Sequence, residues 1–287
     1  MTRVRRFLRQ QRWELIKLWA RPRTYLGFGA TLLFEIVLVS LYRTTGLDEA
    51  LDRNYWQVPA QLADLAANTS GVTVAAHVTA ETMAIMASLF LALVAGDIIA
   101  NESEERTLHM IFSRPVTREA VLAQKVIACV VYTLLLAVFV GATALALGLL
   151  VDGPGKVVVV SARESIVGVH DFWPGLRRYA LGIAMLGPSW LTFTLVAFTL
   201  SCWRIKPGAA TVVALAVLLG DELLRVQPGF AGFAPYALTT RLLTWRQVFG
   251  FHVAWPRIAR NLSQLLWIDL ALIGLAWVTF RRRELAP

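Results

Sequence analysis

Between Gly96 and Lys125 a dense group of charges interrupts two long apolar runs. Asp97, Glu102, Glu104, Glu105, Arg106, Arg114, Arg118 and Lys125 fall within thirty residues. The chemistry such a group can do is ionic pairing and docking. Ser189 and Ser201 elsewhere have no plausible base at an obvious position, so nucleophilic catalysis is unsupported. Asn101 to Glu105 is acidic, Thr107 to Phe112 is largely apolar, and Ser113-Arg114-Pro115 breaks the pattern before Thr117, a good N-cap for the next helix. A short amphipathic helix lying on the membrane surface fits this pattern. Glu102 and Arg106 stand i, i+4 on it and could pair. An element of this kind can pass a push from a soluble partner into two spans at once.

Other candidates carry less. Glu35 and Asp269 lie deep in apolar runs, where a charge is expensive and marks a functional position by default. They can line a polar path or bind protons. The plainer reading is a hydrogen bond to a neighbouring helix. His77 and Glu81 share a helical face, but two ligands without a third make no metal site. The stretch Asp152-Gly153-Pro154-Gly155-Lys156 lacks the first glycine and the closing Ser/Thr of a phosphate-binding loop. Neither catalytic nor metal-binding residues are expected.

The elements that must position these groups are membrane helices. The 287 residues are 57% hydrophobic and 16% charged, against roughly 25% charged in a soluble domain. The apolar residues gather in runs of about 20, the length that crosses a ~30 Å hydrocarbon core as helix. Lipid offers no partner to a free backbone amide, so the runs must be helical. Six spans are expected, at about 24–42, 78–100, 121–151, 180–203, 209–226 and 262–280. The fifth is the weakest, because Asp221 and Glu222 follow its short uncharged part. The two cysteines, Cys129 and Cys202, lie inside apolar runs and read as small buried hydrophobes. The net charge of +9 reflects membrane topology and not nucleic-acid binding. No cleavable signal pattern is present.

Arginine and lysine set the orientation. The first 23 residues are rich in arginine, and the chain ends near Arg281-Arg282-Arg283. Both ends are therefore expected in the cytoplasm, which requires an even number of spans. Arg204 and Lys206, between spans four and five, agree. Residues 1–23 read as a separate amphipathic interface helix and 24–287 as one transmembrane domain. On a helical wheel Val4, Phe7, Leu8, Leu15, Leu18 and Trp19 share one arc. Such a helix lies flat on the bilayer, with Arg5, Arg6, Arg9, Trp13 and Trp19 as membrane-surface contacts. Pro22 ends it. The aromatic segment 227–261 fits either a short re-entrant helix pair or a loop resting on the bilayer.

The charged stretch resembles the signature of type-2 ABC exporter permeases. The resemblance rests on Asp97, Glu102, Arg106-Thr107-Leu108, Ser113-Arg114-Pro115-Val116-Thr117-Arg118 and Lys125. The family's usual glycine before the threonine is Arg106 here. Within that family the chain looks most like the small six-span permeases of bacterial multi-gene systems, including the one used in maturing nitrous oxide reductase. The resemblance implies an all-α six-helix transmembrane fold in the bacterial inner membrane. It also implies a second permease copy and a separate ABC ATPase subunit, on which ATP and magnesium would sit. This chain would bind no cofactor. Asp97, Glu102, Glu105, Arg106, Thr107, Leu108, Arg114, Pro115 and Arg118 would form the ATPase-coupling segment. The rival readings are a proton-coupled secondary transporter using Glu35 and Asp269, and an integral membrane enzyme. The first of these would be favoured by inverted-repeat symmetry, and the long third span has no counterpart.

Overall fold

The computed structural model describes residues 3–45, 70–104, 117–161, 166–203, 205–230 and 232–282. Among these residues the chain forms eight α-helices, one β-hairpin and short 3-10 turns. Helix α1 spans Arg3–Ala20 and α2 spans Pro22–Thr45. The break between them falls at Arg21, and Pro22 opens α2 at a position where its missing N–H costs nothing. Helix α3 spans Gly71–Glu104, with a π turn at Met83–Ala87. Helix α4 spans Arg118–Asp152. Thr117 caps α4, its Oγ1 accepting from Ala120 N at 3.3 Å, in agreement with the sequence reading. Gly153 closes α4 at φ 67°, a left-handed conformation that suits glycine.

Strands β1 (Val157–Ser161) and β2 (Ile166–His170) pair antiparallel, with Val157 opposite His170. Helix α5 covers Phe172–Ser201 and α6 covers Pro207–Val226. A 3-10 turn at Pro228–Phe230 is followed by α7 (Leu238–Leu242), which runs into a 3-10 helix at Leu243–Phe249. Helix α8 covers Trp255–Arg281.

Helices α2, α3, α4, α5 and α8 are long and apolar enough to cross a membrane. Helix α6, on the expected fifth span, has 20 residues, which rise about 30 Å. Helix α4, at 35 residues, is about 52 Å long and overshoots the hydrocarbon by roughly 20 Å. The bundle is all-α as expected, and the hairpin is an addition that the sequence reading passed over. Its signal was the run Val157 to Val160, since β-branched residues favour strands.

Helices α3 and α5 are the most enclosed, with 67% and 61% of their apolar windows buried, against 28% for α2 and 17% for α8. Small residues and hydroxyls knit the centre, as is usual where lipid removes the hydrophobic drive between helices. Gly71 and Gly148 bring α3 and α4 so close that a Cβ on either would collide with the other's carbonyl. Tyr179 of α5 donates to Gly141 O at 2.8 Å and shares a 2.8 Å hydrogen bond with Thr79. Thr133 and Thr194 pair at 2.8 Å. The described residues of the segment 227–261 form a 3-10 turn, the short helix α7 running into a 3-10 helix, and the start of α8; they bury Trp245, Val248 and Phe249 and expose Phe230, Tyr236 and Phe251.

Candidate functional site

At one end of the bundle α1 finishes, α2 starts, α3 finishes and α4 starts. Lys125, two turns into α4, is only 1% exposed. Its Nζ donates to Glu14 Oε1 at 2.9 Å and to Ile98 O at 3.1 Å, and pairs with Glu102 Oε2 at 2.6 Å. Arg21 stands 3.9 Å from the other oxygen of Glu102, and Lys17 stands 3.9 Å from Glu14. Arg23 pairs with Asp97. Gln11 donates to Gln124 O at 3.3 Å, and Gln124 donates to Gln10 at 3.0 Å. Four helices therefore converge on one buried ionic joint.

The joint is internally compensated. Two carboxylates, Glu14 and Glu102, face one buried ammonium and the partly exposed Arg21. Such clusters persist because removing one member strands the others, at about 3–5 kcal/mol. Burial pushes the Glu14 carboxyl up, but the Lys125 ammonium, helped by Lys17 and Arg21, outweighs it. The group is held below the ordinary carboxylate value.

The surface helix is oriented by this joint. Gln11 and Leu18 are buried, and Phe7, Glu14, Leu15 and Trp19 are half-buried, so the apolar arc packs on the bundle and carries two polar residues in with it. Leu8 departs from the arc and is exposed. Trp19 stacks on Phe28, ring centres 5.6 Å apart, and touches Tyr25. The outward face carries Arg5, Arg9, Arg12, Trp13 and Ile16, and Arg6 also lies in α1.

Of the expected coupling segment, the structure places Asp97, Glu102 and Arg118. Glu105, Arg106, Thr107, Leu108, Arg114 and Pro115 lie outside the described residues. Arg118 Nη1 donates to Arg281 O at 3.0 Å, fastening the start of α4 to the end of α8, where a cation suits the exposed carbonyls.

Glu35 and Asp269 are not brought together. Both are buried. Glu35 sits beside Thr143 and near Tyr179, and Asp269 sits beside Thr192. Tyr179 and Thr192 are thirteen residues apart on α5, about 20 Å along its axis. Asp221, which follows the uncharged part of span five, caps α7. Its carboxylate accepts from Leu238 N at 3.0 Å, and from Thr239 N and Oγ1 at 2.7 Å each. Glu222 pairs with Arg225 at 2.6 Å. His77 bonds through Nδ1 to Thr73 O at 2.9 Å within its own helix.

Sequence reasoning missed Glu14, an acid among basic neighbours on the helical wheel. It also missed Arg178, which bonds to the carbonyls of Val248 and Gly250 at 2.7 and 2.5 Å. A signal was present, because Arg177-Arg178 is a basic pair at the edge of an apolar run.

The arrangement is a charge-clamped joint between helices at one end of the bundle. The profile of the ABC-2 family transporter protein matches residues 28–220, from α2 to α6, and takes in Asp97, Glu102 and Lys125. The search of curated proteins gave no match. With well over half of its length matched, this multi-pass membrane protein belongs to the ABC-2 transporter family and is the permease subunit of an ABC transporter.

Proposed function

We propose that this permease is an exporter subunit of the bacterial inner membrane, driven by a separate ABC ATPase and working beside a second permease copy. The observation that carries the reading is the Lys125 joint. Glu102 stands just before the segment 105–116 and Lys125 shortly after it, and the two are locked together at 2.6 Å. A push on that segment therefore reaches α3, α4 and, through Glu14, α1. ATP and magnesium belong to the partner, and this chain supplies moving parts.

The same end of the bundle supports a six-span topology with both termini in the cytoplasm. Helix α1 is bound to the start of α4 through Glu14, and the end of α8 is bound there through Arg118. With both chain ends beside the α3–α4 joint, the number of crossings is even. Helix α6 then completes the set with α2, α3, α4, α5 and α8. Glu35 of α2 and Asp269 of α8 neighbour residues about 20 Å apart along α5, which weighs against the proton-coupled reading, in which they would work together.

The test is co-purification from the native membrane. An ABC ATPase should accompany the chain. Arg106→Ala and Glu102→Ala should break the link between ATP hydrolysis and transport at least tenfold while membrane insertion persists. A purified chain that transports in vesicles without nucleotide or companion would overturn the proposal.

A further inference from the structure

The end of the bundle opposite the Lys125 joint is covered by the β1–β2 hairpin and the 3-10 helix Leu243–Phe249. The cover is fastened along a row of four successive carbonyls. Arg178, near the start of α5, donates through Nη1 to Val248 O at 2.7 Å and Gly250 O at 2.5 Å, and through Nη2 to Phe251 O at 3.3 Å. His170, at the end of β2, donates through Nε2 to Phe249 O at 2.7 Å. Phe251 N donates to Val167 O at 3.1 Å, which ties the row to the hairpin.

Among the described residues Arg178 has no carboxylate within ion-pair distance. Its fixed charge and planar fork go to backbone carbonyls at the end of a helix, where partial negative charge gathers. Three bonds depend on one side chain, so one change of rotamer releases all three. Beneath the cover is a small cavity lined by Ala76, His77, Val159, Trp245, Arg246 and Phe249. Trp245 is buried, and its Nε1 makes no hydrogen bond. Gly182 of α5 leaves room for its ring, since a Cβ there would stand 3.3 Å from Trp245 Cε3. The cover is thus seated by apolar packing, which is non-directional, and Arg178 supplies three of the five polar bonds named above that hold it in place.

We propose that Arg178 is a positioning residue for transport. It latches residues 243–251 over the bundle while the path is closed and releases them when the far end opens. The outward sense of that opening rests on the function proposed above, whereas the latch itself can be tested without any cargo.

The experiment uses the full chain with its ATPase partner in membranes and a membrane-impermeant maleimide as probe. The buried reporter is Val248→Cys, and Ala137→Cys in the middle of α4 is the control. The chain without either serves as blank for Cys129 and Cys202. With Arg178 intact, Val248→Cys should label slowly and faster in the presence of ATP. In Arg178→Gln it should label at least tenfold faster, with or without ATP. Arg178→Lys, which keeps the charge but loses the fork, should fall between. Ala137→Cys should not change. Equal rates in all three backgrounds would overturn the latch, and so would a parallel rise at Ala137→Cys, which means general loosening. Should Arg178→Gln fail to insert, His170→Ala gives the same comparison with a smaller rise, and no rise there overturns the proposal. Fast labelling confined to the inner face of inverted vesicles would refute the assigned orientation and leave the latch standing.

Discussion

Lys125 Nζ and Glu14 Oε1 are 2.9 Å apart in space and 111 residues apart in sequence. Through this bond the amphipathic N-terminal helix ceases to be a separate raft on the bilayer and becomes part of the bundle. A chain with Glu102 and Lys125 but no Glu14 would still join α3 to α4, and α1 would keep its glutamine bonds and apolar packing but lose its ionic tie to α4.

Replacing the ammonium tests that relationship. Lys125→Met should destabilise the protein by about 3–5 kcal/mol, because Glu14 and Glu102 then face one another without their buried counter-charge. The triple variant Glu14→Gln, Glu102→Gln, Lys125→Met should recover most of the loss, as apolar and neutral replacements of a whole cluster commonly do. Thermal unfolding in detergent measures both. A triple variant no more stable than Lys125→Met would contradict the account of the joint.

Acid should loosen the same joint in a definite direction. The Glu14 carboxyl is held below its ordinary value of 4.5 in the folded protein. A depressed carboxylate contributes stability that is fully present above the unfolded value and fades as pH falls through the folded one. Wild type should therefore lose more Tm than Glu14→Gln as pH drops from about 5 towards 3, and the two should run parallel above it. Parallel curves throughout would remove Glu14 from the stabilising set.

The contact between α3 and α4 makes a third expectation. Gly71→Ala or Gly148→Ala places a methyl on the facing carbonyl, which forces the helices apart at a cost of about 1–3 kcal/mol or more. Gly29→Ala, with open space around it inside α2, should not destabilise, and alanine's helix preference should add up to about 1 kcal/mol. Melting temperatures of the three variants side by side settle it.

Much of the fold was legible because lipid imposes simple demands. Apolar runs must be helices, and Pro22 and Thr117 mark a break and a start that the structure repeats. The charges at Asp97, Glu102 and Lys125 stood out against their apolar neighbours. Their partners did not. Glu14 is an ordinary acid on an amphipathic wheel until the fold turns it inward, and Arg178 is an ordinary surface arginine until residues 248–251 come back to meet it. Spacing along the chain exposes local pairs such as i, i+4, whereas these contacts join residues 70 and 111 positions apart. The Asp221 cap of α7 was hidden for the same reason, since the donors lie 17 and 18 residues downstream.

The length of α4 has a consequence for both ends of the molecule. A rod of 35 residues without a break is nearly twice as long as the oil it crosses. Were it to rock by ten degrees about its foot at Lys125, its tip near Asp152 would sweep roughly 7 Å sideways, because the ~40 Å between them rises at 1.5 Å per residue. The β-hairpin begins five residues past that tip, so it rides on the end of a lever. On the coupling proposed above, a rearrangement at the Lys125 end would be felt beneath the cover without any further messenger.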